Sequence, residues 1–239
     1  MTQEIEVGDF DRISIPDFVD VYYTQGSDQQ CVTLTCDENL FKYYHIEVKD
    51  GELIVDCKRS FYNKIDTYLT VCSSSLKGVK LSGSGDLYIE EALTTEDDFS
   101  IETCGSGDVD IASMTASSTT VSLNGSGDAR IGSMTASSTI VSLNGSGDAR
   151  IGSMTVSSAE FKSSGSGDIE ADEVKAESIS IKTTGSGDCF LCCKDSGTLS
   201  VQISGSGDVI LRGTARALIN ISQTGSGDFN MSDLTLSGK

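Results

Sequence analysis

The sequence predicts an all-β protein: a right-handed parallel β-helix of about 20 residues per coil, entered through an irregular N-terminal capping region with a β-hairpin. Three observations predict it. Gly-Ser-Gly-Asp occurs eight times, ending at Asp86, Asp108, Asp128, Asp148, Asp168, Asp188, Asp208 and Asp228, with one interval of 22 residues and six of 20. Set in register, the repeats align apolar columns. Four residues before each tetrapeptide stand Val79, Ile101, Val121, Val141, Phe161, Ile181, Val201 and Ile221, and directly after it Leu87, Val109, Ala129, Ala149, Ile169, Cys189, Val209 and Phe229. Finally, apolar and polar residues alternate within short runs, which marks strands with one buried face.

Residues 1–78 lack the 20-residue signature but contain strand-like runs. Cys31–Cys36 and Asp66–Cys72 alternate, and Ile46–Val55 reads as a hairpin because Asp50-Gly51 suits a tight turn between alternating runs. Solenoid ends expose unpaired strand groups and need covering, so this third is expected to hold irregular coils and a cap. The regular solenoid then occupies residues 79–239 as one continuous domain. In the coil from Thr119, the first side is Thr119–Leu123, with Thr119, Val121 and Leu123 inward. GSGD makes a corner, Ala129–Ile131 is the second side, and a weaker third side holds Met134 and Ala136 before Ser137-Ser138 turns into the next coil. Ala171–Ser178 has helix-forming composition, but the register places it on the third side. At the far end Phe229, Met231, Leu234 and Leu236 are large for their columns and are expected to plug the last coil.

The chain of 239 residues carries a formal charge of −19, with a single proline and no tryptophan. That charge makes nucleic acid and anionic membranes poor partners. The start, MTQEIEVGDF, lacks the basic and apolar parts of a secretory leader. Eight cysteines (Cys31, Cys36, Cys57, Cys72, Cys104, Cys189, Cys192, Cys193) would permit four disulfides, but their spacing has no small-scaffold regularity. Cys189-x-x-Cys192-Cys193 invites a metal reading, yet zinc wants four ligands and the single histidine, His45, lies far off in sequence.

The stretch Phe10–Leu40, containing DVYYTQG (Asp20–Gly26), followed by a hairpin and then by recurring LSGSGDLYI (Leu81–Ile89), resembles the putative auto-transporter adhesin, head-GIN-domain family of bacterial proteins. The resemblance covers nearly the whole chain. It implies a β-solenoid and a surface location, and supplies no established catalytic residues. Export to the periplasm or outer-membrane surface is therefore expected, with the leader absent from this chain; a cytoplasmic protein is the other reading.

The aspartate column admits three readings: a cation stack, calcium being the candidate; a ligand surface; or a structural brace, with glycines supplying positive φ at the corners and aspartates accepting backbone N–H bonds. One carboxylate per corner is thin for calcium, which takes six to eight oxygens. Carboxylates stacked about 4.8 Å apart repel by about 0.9 kcal/mol in water, whereas a charge-assisted bond to an amide contributes about 1.5–3 kcal/mol. The brace reading is therefore preferred, with no cofactor. A second column runs outward from Tyr88 through Asp110, Arg130, Arg150, Glu170, Phe190 and Ile210 to Asn230, with cross-coil ion pairs expected in its middle. Phe190, Ile210 and Cys192 are a candidate partner patch.

Identical repeated acids do not form the unlike clusters that β-helix polysaccharide lyases and hydrolases need. The expectation is a non-enzymatic, adhesin-like or scaffold solenoid with a protein or glycan partner, and with self-association through the solenoid face or the C-terminal end. A carbohydrate-active enzyme is the alternative.

Overall fold

The computed structural model describes residues 1–26, 30–58 and 67–238. The chain is a β-solenoid of about eight turns of roughly 20 residues, essentially without helix. Its strands are β1 (Thr2–Glu4), β2 (Arg12–Ile15), β3 (Asp20–Gln25), β4 (Cys31–Thr35), β5 (Tyr44–Lys49), β6 (Glu52–Cys57), β7 (Tyr68–Ser73), β8 (Gly78–Leu81), β9 (Leu87–Thr94), β10 (Phe99–Thr103), β11 (Val109–Thr115), β12 (Ser118–Leu123), β13 (Ala129–Leu143), β14 (Ala149–Ser163), β15 (Ile169–Thr183), β16 (Cys189–Ile203), β17 (Val209–Gln223) and β18 (Phe229–Leu236).

A central coil shows how the sequence makes the shape. β13 buries Ala129 and Ile131, then Met134, then Thr139, Val141 and Leu143. The alternation slips at Gly132-Ser133 and again at Ser137-Ser138, so the strand bends twice and its inward residues stay inward. β14 stacks on it in continuous parallel register, Ala129 opposite Ala149 through Leu143 opposite Ser163. Core volume is balanced along β14: Phe161, buried, is flanked by the small inward residues Ala159 and Ser163.

The GSGD corners correct one expectation. Their glycines do not have positive φ; among the described glycines only Gly51 (φ 78°) and Gly213 (φ 88°) do. The requirement is close approach. A Cβ on Gly147 would land on the carbonyl oxygen of Gly127 in the preceding corner, well inside 3.0 Å, and one on Gly145 would strike the carbonyl of Gly125. Each corner rests main chain on main chain, and Ser146 N–H donates to Gly125 O at 2.9 Å. The first GSGD corner rests on a corner of different sequence. Gly83 and Gly85 press on the carbonyls of Asp17 and Val19, so Ile15–Tyr23 is the equivalent of Leu81–Ile89. Its own corner, Pro16–Val19, opens the series of stacked corners and is not built from glycine.

The N-terminal side is closed by a change of strand direction. β6 pairs in parallel with β2 and antiparallel with β5; β7 pairs in parallel with β3 and antiparallel with β4, which carries β1. The β5–β6 turn uses Asp50 (φ 53°) and Gly51 (φ 78°), the backbone of a tight hairpin. The run beginning at Asp66 starts outside the described residues, and β7 is its described part. Phe10, Leu40 and Leu76 seal the core at this end. Edge strand β5 carries an exposed His45–Glu47 pair (3.1 Å), charge that discourages edge pairing.

The far end is only partly plugged. Leu234 is buried, Phe229 and Met231 are half-buried, and Leu236 is exposed. β18 covers the β17 segment 209–215, while Ile219 and Ile221 on the remaining side of that coil are exposed at 57% and 53%. The column that begins with Val79 thus ends outside the core.

Candidate functional surfaces

The aspartates form a continuous ladder between coils. Oδ1 of Asp108 accepts the backbone N–H of Asp128 (2.8 Å), Asp128 that of Asp148 (2.9 Å), and Asp148 that of Asp168 (2.9 Å). The series continues through Asp188, Asp208 and Asp228 at 2.7–2.8 Å, and Asp86 accepts from Asp108 at 2.8 Å. The amide held belongs to the following coil, not to the aspartate's own turn. Asp20 is a further member, missed in the sequence because it sits in IPDFVD rather than GSGD: its Oδ1 accepts the N–H of Asp86 at 3.0 Å. The apolar frame shared by Ile15–Tyr23 and Leu81–Ile89 was the available signal.

The second carboxylate oxygen meets the residue two positions on. Tyr88 Oη donates to Asp86 (3.1 Å), Arg130 to Asp128 (2.8 Å) and Arg150 to Asp148 (2.9 Å). Burial and the neighbouring Asp86 carboxylate raise the Tyr88 phenol to about 12. Arg150 also reaches Glu170 (3.5 Å), but Arg130 turns to Asp108 (3.4 Å) rather than to Asp110. These pairs are half-exposed and contribute little. Tyr22 continues the column beyond Tyr88, stacked on it with ring centres 4.9 Å apart, while Tyr68 meets Tyr22 edge-on at 5.7 Å.

Phe190 and Ile210 are adjacent in register and half-buried, with exposed Cys192 opposite Arg212. The Cys189–Cys193 segment is split between faces: Cys189 and Cys193 are inside and Cys192 outside, so the three thiols do not converge. Burial pushes the Cys189 thiol far up and Cys193 to about 11. Among the described residues no group of three or more histidine, cysteine, aspartate or glutamate side chains converges as a metal site would require.

A surface that the sequence reading missed lies at the corner between the other two sides. An open hollow of about 760 Å³ spans six coils and is lined by Val156, Lys175, Glu177, Asp195 and Arg216 among smaller residues. The coil is irregular there. The β15–β16 register shifts between Ala171 and Ser178, and the β16–β17 register between Cys193 and Ser196. Asp195 takes φ 50°, uncommon for a residue with a side chain, and Gly213 takes φ 88°. Thr214 Oγ1 accepts the Asp195 N–H (2.8 Å) and donates to its carboxylate (2.9 Å). Ser196, buried beside them, donates to Val174 O at 2.7 Å. The only sequence signal was the loss of repeat character at CCKDSG and LRGTAR, where the earlier coils read ASMTAS (112–117) and GSMTAS (132–137).

The solenoid fold is shared with known proteins. The family model for the putative auto-transporter adhesin, head GIN domain matches residues 9–173 and 168–238. The chain belongs to that family. Its fold matches a putative adhesin from Bacteroides fragilis (25% identity, 96% of this chain and 95% of that one, TM-score 0.71) and one from Parabacteroides distasonis (24%, 97% and 96%, 0.83). A P. distasonis structure described as a putative lipid binding protein is also similar (23%, 97% and 96%, 0.80). No curated protein matches the chain.

Proposed function

We propose that this family member is a non-enzymatic, exported, surface-displayed adhesin-like protein that holds a glycan in the hollow at Val156, Lys175, Glu177, Asp195 and Arg216. The observation that carries this reading is the coincidence of concavity and irregular backbone. The two positive-φ positions of the solenoid, Asp195 and Gly213, belong to the coils that form the hollow, and a non-glycine outlier kept at Asp195 in an otherwise periodic stack points to use. The lining suits an uncharged saccharide. Two cationic and two anionic side chains offset each other in a chain of charge −19, and small residues leave room for a sugar between hydroxyl and charged hydrogen-bonding groups. The family's name and those of the putative adhesins among its structural neighbours favour adhesion over catalysis, and the aspartates are engaged one by one with backbone amides.

A glycan and matrix-protein binding screen tests the reading. Thr155 is exposed in the hollow, so Thr155→Trp fills it without touching the core and should abolish binding to glycans found in the screen. Ile210→Ser, on the other side, should leave binding intact. The opposite pattern would move the site to the Phe190–Ile210 patch, and binding only to proteins would refute the glycan assignment.

A further inference from the structure

The cysteines outside the repeat have a geometry of their own. In the antiparallel pair β4–β7, Cys31 stands directly opposite Cys72. Directly opposed residues of antiparallel strands have Cα atoms about 4.5–5.5 Å apart, within the roughly 4.4–6.8 Å that a disulfide spans. Their side chains share one face, both half-buried. The Cys72 thiol lies in hydrogen-bonding reach of Cys31, and burial together with this neighbour raises the Cys31 pKa. Gly26 leaves the space that Cys72 Sγ fills, since a Cβ there would strike it.

Other cysteines are placed differently. Cys189 faces Ile169 and Val209, Cys192 faces Arg212, Cys193 faces Val174 and Gly213, and Cys57 faces Tyr44. Among the described residues, Cys31 and Cys72 are the one pair of cysteines opposed in strand register.

We propose that Cys31 and Cys72 form a cross-strand disulfide in an oxidising environment, stapling the cap strand β4 to the solenoid strand β7. The bond itself follows from register; its use by the cell rests on the exported reading. The raised thiol pKa of Cys31 disfavours the thiolate that would make a redox catalyst, which suits a structural bridge. In the presence of oxidised glutathione, one cysteine thiolate attacks the disulfide and releases one reduced glutathione. The second cysteine then attacks the mixed disulfide and releases another. Two protein thiols lose two electrons and two protons, and the glutathione disulfide takes them up. The bridge closes a long loop, so it should restrict the unfolded chain more than the folded one.

The test uses the full chain, purified reduced and equilibrated with oxidised and reduced glutathione, then alkylated and digested without reduction. Mass spectrometry should find the Cys31 peptide joined to the Cys72 peptide. The melting midpoint should rise on oxidation in the parent and stay unchanged in Cys72→Ala and in Cys31→Ser. Recovery of both residues as alkylated thiols or as separate glutathione adducts, from protein that circular dichroism shows to be folded, would overturn the proposal. Peptide mapping needs no variant, so it decides even if the substitutions fail to fold. Because it uses no ligand, its failure is distinct from failure of the glycan site.

Discussion

Gly147→Ala separates two explanations of the repeat glycines. If corners needed positive φ, asparagine, which tolerates that conformation, would replace glycine more gently than alanine. Gly147 instead faces the Gly127 carbonyl, and a single added carbon collides with main chain that no side-chain rotation can clear. Relief requires the two corners to separate. That stretches Ser146 N–H to Gly125 O (2.9 Å) and Asp148 N–H to the Asp128 carboxylate (2.9 Å). Overpacking of this kind costs about 1–3 kcal/mol, and weakening one neutral and one charge-assisted bond adds a further ~2 kcal/mol. The expected loss is about 3–5 kcal/mol, or roughly 6–20 °C in melting midpoint for a domain of this size. Urea denaturation of Gly147→Ala and Gly147→Asn should show both strongly destabilised. Gly51 is the internal control: its φ is 78° and the nearest atom to an added Cβ is 3.8 Å away, so there asparagine should be the milder change. Parent-like stability of Gly147→Asn would refute the close-approach account.

Asp148→Ala leaves the Asp168 N–H without its acceptor and should cost about 1–3 kcal/mol, while Asp148→Asn retains an acceptor and should be nearly neutral in the same urea titration. Calcium chelation should leave the thermal midpoint unchanged, because one oxygen of each carboxylate from Asp86 to Asp208 is already committed to an amide; a large fall would reinstate a cation in the column. Thr183 Oγ1 is buried without a hydrogen-bond partner, so Thr183→Val should raise stability by ~1 kcal/mol, read from the urea midpoint. Tyr88, raised to about 12 from the usual 10.0, stabilises the fold fully below pH 10 and loses that contribution as pH rises towards 12, because the unfolded chain ionises first. Alkaline titration followed by tyrosinate absorbance should show a late step that Tyr88→Phe removes.

The stack was legible because its causes are periodic. An inward valine or isoleucine recurs at fixed distance, and each corner must accept the corner before it, so the same residues return. What escaped was whatever the period does not dictate. The glycines were visible, but their reason lay in a neighbour 20 residues away, as with Gly147 over Gly127. Asp20 was hidden because the first corner follows no GSGD corner and is free of the glycine requirement, so it lacks the tetrapeptide that marks the others. The hollow around Asp195 arises where the repeat is broken, and a broken repeat in a sequence looks like noise until register shows two coils slipping past each other there. The C-terminal plug was overread: Leu234 fills its site, but the end of a three-sided coil needs covering on every side, and Ile219 and Ile221 remain exposed.

The ladder also makes length an independent variable. Residues 118–137 and 138–157 differ at only two positions, Thr120 against Ile140 and Ala136 against Val156, and each coil touches only its neighbours through the same amide-to-carboxylate rung. A duplicated block of 20 residues would meet the same surface above and below that its parent meets, with the first corner and the last strand untouched. Reach would grow by about 4.8 Å per block. The molecule is in this sense a ruler, on which gain or loss of a whole coil moves whatever is carried at one end relative to the other without redesigning either.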